Sequence, residues 1–198
     1  MAKVDVLIGA MGGVALLATV LGVVFYEELS GTREYTFLEY AVPLDEREDA
    51  VGAQPTSFIY GTPDNATAID LSVQVSFSGQ AIVGGSATVI VQFLAPDGNV
   101  TEKQAELSIA RGATSATTTV DLEARWADPP DDVEVEGALN ATAHATSWAG
   151  MPMEVRITVE PPGTEIPALS DYRFTATIDG ELRVYRSSVK AADAEGAR

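Results

Sequence analysis

The chain has 198 residues, a formal charge of −17 from 29 acidic and 12 basic residues, and no cysteine. Disulfides and thiolate metal sites are excluded, so any fold stands on packing and hydrogen bonds alone. A surface this negative repels nucleic-acid phosphates, which argues against a nucleic-acid partner and for cations or basic partners.

The first element is an uncharged run from Val6 to Tyr26. At about 1.5 Å per residue it makes a helix of about 31 Å, enough to cross a bilayer core. Eleven strong apolar side chains, among them Leu7, Ile8, Leu16, Leu17 and Phe25, favour insertion. A signal peptide has a shorter apolar core and ends at small residues, whereas here Phe25-Tyr26-Glu27-Glu28 follows, so the run reads as a retained single-pass anchor over residues 1–30. Lys3 and the amino terminus put the short end in the cytoplasm and the remaining chain on the extracytoplasmic side. Small residues four apart, Gly9 with Gly13 and Ala18 with Gly22, form a face on which a second helix can pack closely; the plainer reading is that such residues are simply frequent in membrane helices.

Residues 171–198 balance five acids with five bases, so residues 27–170 hold all of the net charge. Only Lys3, Lys103 and Lys190 are lysines. With abundant Asp, Glu, Thr and Ala, this balance resembles that of proteins from salt-loving microbes. Near 1 M salt the screening length falls to about 3 Å, and such self-repulsion becomes tolerable.

After the helix a strand is expected over Tyr35–Val42, then an acidic loop from Leu44 to Pro55. From Thr56 the period becomes two: Phe58 and Tyr60, then Ile69, Leu71, Val73, Val75 and Phe77, then Ala87, Val89, Val91 and Phe93. Ala95-Pro96-Asp97-Gly98-Asn99 is a hairpin turn between antiparallel neighbours. Further strands are expected over 102–110, 115–123, 133–147, 153–160, 171–178 and 181–189, with Asp179-Gly180 turning the last pair. The fold class is therefore mainly β: one membrane helix followed by an antiparallel β-sandwich over 31–190, either immunoglobulin-like or jelly-roll, and a disordered tail over 191–198. Archaeal surface and filament-associated proteins with one helix and a β-sandwich are similar in layout, an analogy of architecture alone.

Few residues offer chemistry. His144 is the only histidine and sits among Thr142 and Thr146 on a polar face, which suits a surface side chain rather than a catalytic one. Asp128, Asp131 and Asp132, stiffened by Pro129 and Pro130, are hard oxygen ligands suited to calcium, although the full ligand set of a calcium loop is missing. Three acceptor triplets for Asn-linked glycosylation start at Asn65, Asn99 and Asn140 and agree with an exported domain. Trp148, Met151 and Met153 surround a Gly-Pro turn and form either a partner-binding loop or a plug for one end of the sandwich.

The expectation is a non-enzymatic, membrane-anchored sandwich that needs no cofactor and acts as a protein-binding, envelope, adhesion or accessory subunit. Its partners are the lipid bilayer and another protein or a second copy, met through the helix or the sandwich. The alternatives are a receptor for calcium or a cationic ligand and, less favoured, a glycan hydrolase using paired carboxylates.

Overall fold

The computed structural model describes residues 32–136, 148–160 and 172–189. The expected membrane helix, Asn140, His144 and the tail lie outside these residues. Among the described residues no helix is long and apolar enough to cross a membrane.

Ten strands make up the described chain: β1 (Thr32–Pro43), β2 (Arg47–Val51), β3 (Thr56–Gly61), β4 (Ala66–Ser78), β5 (Gly85–Leu94), β6 (Val100–Ile109), β7 (Ser115–Arg125), β8 (Val133–Glu136), β9 (Pro152–Glu160) and β10 (Arg173–Val189). They form two antiparallel sheets, one ordered β7-β4-β10-β1-β8 with β2 also paired to β10, the other ordered β3-β9-β5-β6. The chain divides into two compact units.

The larger unit covers Leu38–Pro130 and Ala145–Arg186 and is a β-sandwich. Alternation drives it. Ile69, Leu71, Val73, Val75 and Phe77 of β4 are all buried on one face, as are Ala87, Val89, Val91 and Phe93 of β5 and Met153, Val155, Ile157 and Val159 of β9. With Leu107, Ile109, Leu122, Phe174 and Ile178 these side chains form a single core fed by both sheets. Fully burying one such side chain contributes roughly 1.5–3 kcal/mol, so the alternation is worth more than any polar contact described below.

Strand pairing is nested. β5 pairs with β6, β4 with β7, β3 with β9 and β2 with β10, each pair enclosing the previous one in sequence. The ribbon is closed by β5 against β9 and β4 against β10. Its tip is the expected turn: Gly98 donates to the Ala95 carbonyl at 2.9 Å, Ala95 donates to that of Asn99 at 2.9 Å, and Gly98 has φ +88°.

The smaller unit contains the first residues of β1 up to Phe37, the last residues of β10 from Ser187, and β8. β8 runs antiparallel to β1 from Thr32 opposite Glu136 to Tyr35 opposite Val133, Tyr35 is buried, and the Thr36 and Ser188 hydroxyls are 3.1 Å apart.

Two expectations are corrected. The acidic stretch after Leu44 is not all loop, because Arg47–Val51 is a strand on β10, with Val51 opposite Phe174 and buried in the core. Four of its five side chains are exposed, so its sequence shows no alternation. Nor does Asp179-Gly180 turn. β10 passes straight through it, with Gly180 opposite Leu71. A Cβ at Gly180 would stand 2.5 Å from the Asp70 carbonyl oxygen and 3.0 Å from the Leu71 side chain, so the glycine answers a close backbone approach rather than a reversal. Of the strand expected over 133–147, the described part is Val133–Glu136.

Candidate functional site

The chemically richest surface is the solvent face of β7, β4 and β10, where the inward residues are mainly apolar and the outward ones mainly charged or hydroxylated. Register sets the rows. Ala68 lies between Arg125 and Arg183, Asp70 between Glu123 and Glu181, and Ser72 between Asp121 and Asp179. One basic row thus borders two acidic rows, and Asp70 has a carboxylate residue directly opposite on either side, a placement that is destabilising in itself.

Arginines answer part of that repulsion. Arg183 reaches Asp70 through Nε at 2.9 Å and Nη2 at 2.8 Å. Arg125 grips Glu39 of β1 through Nη1 at 2.9 Å and Nη2 at 3.1 Å, and its Nη1 is also 3.4 Å from Asp128. The hydroxyl of Thr67 donates to the same Glu39 carboxylate at 2.6 Å and lies 3.1 Å from the Arg183 carbonyl. These bonds to Arg125 and Thr67, with Arg125 dominant, outweigh burial and hold the Glu39 carboxyl below its ordinary range. Thr67 is placed there by a register shift between β4 and β10, and its carbonyl accepts from the backbone of Trp126 at 2.9 Å and of Ala127 at 3.2 Å. Trp126 adds an Nε1 bond to the Ala66 carbonyl at 3.0 Å and packs on Phe93.

An open hollow of about 390 Å³ on this face is lined by Asp70, Asp121, Asp179, Glu181, Lys103 and Arg183, among others. Ser72 donates to Asp121 at 2.8 Å. The outer face of the other sheet is quieter: Glu154 is held by Arg156 through two bonds of 2.8 Å, and Glu102 accepts from Gln92 at 2.8 Å and Gln104 at 2.9 Å. In both cases the hydrogen bonds lower the carboxyl pKa.

Asp128 is exposed and turned to Arg125, Asp131 and Asp132 are exposed in the smaller unit, and among the described residues no three His, Asp or Glu side chains are grouped to hold a metal ion. The Trp148 turn is pinned by Thr62, which accepts from Gly150 at 2.8 Å and donates its own amide and hydroxyl to the Met151 carbonyl at 2.9 and 2.7 Å. Met153, expected in a partner loop beside them, is fully buried in β9 because it falls on the inward phase of that strand. Met151 remains 43% exposed and Trp148 is half-buried.

One apolar row was not singled out by the sequence reading. Leu38, Tyr40 and Val42 alternate along β1 at 51%, 46% and 36% exposure, with the Arg186 guanidinium 5.9 Å from the centre of the Tyr40 ring. Glu39, Arg125, Asp70 and Arg183 were also missed. Period two assigns them to a solvent face but carries no signal of which residue, tens of positions away, stands opposite.

No protein-family model and no curated protein matches the sequence. Among solved structures, the chain is similar to one in the structure of the Gx strain of infectious bursal disease virus, at 10% identity and TM-score 0.32, covering 81% of this chain and 37% of that one. A chain of the T13 particle of the same virus shares 9% identity at TM-score 0.32 over 81% and 42% of the two chains. A chain of the Nora virus structure shares 12% at TM-score 0.27 over 83% and 64%. The chain thus spans less than two thirds of each of these viral chains.

Proposed function

We propose that this chain is a membrane-anchored jelly-roll domain that stands outside the membrane and binds another protein as a non-enzymatic envelope, adhesion or accessory subunit. The nested order of strand pairs supports the jelly-roll topology over the immunoglobulin-like one, since an eight-strand ribbon rolled on itself pairs first with last and so inward. The anchor rests on the uncharged run from Val6 to Tyr26.

The observation that carries protein binding is the exposed row of Leu38, Tyr40 and Val42. Three large apolar side chains in a row, with an aromatic and an arginine at its middle, have the composition of an interface rather than of solvated surface. On the β7-β4-β10 face, Asp70, Asp121 and Asp179 are instead in hydrogen bonds or ion pairs within the domain.

The test is cross-linking and co-purification of the full chain in mild detergent from carbonate-washed membranes. A specific partner or a second copy is expected. It is lost in the triple variant Leu38→Ser, Tyr40→Ser, Val42→Thr without a change in the melting temperature of more than a few degrees. A carbonate-soluble chain, or a strictly monomeric particle with nothing attached, would overturn the reading.

A further inference from the structure

We propose that Asn99, at the tip of the β5–β6 hairpin, is a glycan acceptor of this domain, and that Asn65, which carries an equally good acceptor triplet in sequence, is not. The inference rests on the exported reading of the domain. Both triplets supply an Asn and a Thr two residues on. Their surroundings differ.

Asn65 occupies the left-handed region at φ +63°, and its side-chain Oδ1 is buried with no hydrogen-bond partner among the described residues. Its backbone carbonyl is held by the Tyr185 amide at 3.1 Å. Thr67 is fully buried, and its hydroxyl is committed to Glu39 at 2.6 Å. To present this triplet, the turn would have to leave the sheet, expose Thr67 and break the contact that ties β1 to β4. The folded arrangement therefore does not present this triplet to a transferase.

Asn99 is exposed, and Val100 beside it is 57% exposed. The Asn99 carboxamide donates Nδ2 to Asp97 Oδ2 at 2.6 Å, on the surface, where water replaces the bond at little cost. The hairpin itself is closed by backbone bonds between Ala95 and Gly98 and between Ala95 and Asn99, which the carboxamide does not make. Substitution on Nδ2 leaves them intact, and the attached sugar covers the apolar side chain of Val100.

In the transfer step, Nδ2 of Asn99 forms a bond to the anomeric carbon of an oligosaccharide carried on a lipid-linked phosphate donor. The carbon–oxygen bond to phosphate breaks and its electron pair leaves with the phosphate. One amide proton passes to a base of the host transferase.

The experiment is translation of the full chain with membranes that contain an Asn-linked oligosaccharyl transferase. A reporter acceptor is placed in the tail by Ala192→Asn with Ala194→Thr, and site occupancy is read by mass spectrometry of the protease-resistant product. Asn99→Gln is expected to remove one glycosidase-sensitive increment and Asn65→Gln none. Occupancy of the tail with an unmodified Asn99, or a glycan on Asn65 in the folded product, overturns the inference while the exported reading stands. An unmodified tail together with an unmodified Asn99 overturns the exported reading, and the inference falls with it.

Discussion

The carboxylate of Glu39 on β1 receives both terminal nitrogens of Arg125 on β7, at 2.9 and 3.1 Å, across 86 positions of sequence. Between them Thr67 of β4 supplies a third donor at 2.6 Å. The arrangement is a strap across the sheet, and it ties down the strand that follows the apolar amino-terminal run.

Its energetic share is modest because Arg125 is 45% exposed. A double-mutant cycle between Glu39→Gln and Arg125→Met should give a coupling of about 0.5–1 kcal/mol in urea unfolding. Thr67→Val should cost more, about 1–2 kcal/mol, because Thr67 is fully buried and its loss leaves the Glu39 carboxylate one donor short. A coupling near zero would show that the bidentate geometry contributes nothing beyond two solvated charges.

The same strap sets part of the acid sensitivity. The folded-state pKa of Glu39 is lowered, chiefly by Arg125, so its contribution is fully present above the unfolded value near 4.5 and is lost as pH falls through the folded value. Wild-type stability should therefore fall on acidification below about pH 5, and Glu39→Gln should fall less steeply over the same range. Parallel slopes for the two proteins would remove Glu39 from the account; Glu154, lowered chiefly by its bonds to Arg156, would then be the next group to test.

Gly180 and Gly98 make a matched pair, since each follows an aspartate and both read as turns. Gly98→Ala should cost about 1 kcal/mol, the penalty for a Cβ at φ +88° in open space. Gly180→Ala should cost about 1–3 kcal/mol for a different reason, because its Cβ meets the Asp70 carbonyl oxygen and the chain must part β10 from β4. Equal costs would mean that the strands yield.

This pair also shows where the sequence was readable. Inward phase was legible wherever four or more apolar residues alternated, as from Ile69 to Phe77, because side-chain period is a local property of a strand. Asp-Gly at 97–98 and at 179–180 is the same local signal, and what separates them is the neighbour: only Gly180 has β4 packed against it, a long-range fact. β2 was hidden for a related reason, as an edge strand with one buried residue has no period to detect. The strap of Glu39, Thr67 and Arg125 was illegible altogether, since register between distant strands is decided by the whole fold.

The two acidic rows predict a response to salt. Asp70 stands opposite both Glu123 and Glu181, and Ser72 stands opposite Asp121 and Asp179. Raising KCl from 0.1 to 1 M shortens the screening length from about 10 to about 3 Å, so the melting temperature should rise, and Glu123→Gln with Glu181→Gln should reduce that rise. Calcium chloride at matched ionic strength should do no more than potassium. An extra calcium-dependent increase would instead favour the cation-receptor reading.

Tyr60 makes the least intuitive case. Its ring is buried and stacked under the Arg47 guanidinium at 4.5 Å, yet its hydroxyl is buried without a hydrogen-bond partner among the described residues, and burial pushes its pKa up. Removing that oxygen deletes an uncompensated desolvation cost while the ring, the stacking and the packing on β9 remain. Tyr60→Phe should therefore be neutral or stabilising by up to about 1 kcal/mol, where most substitutions of a buried residue destabilise. Arg47→Ala should be destabilising, because Arg47 also donates to the Ile59 carbonyl at 2.9 Å and so caps the outer edge of β3. Thermal unfolding of the two variants separates the contributions: a loss in Tyr60→Phe comparable to that in Arg47→Ala would mean that the hydroxyl holds a bond in solution.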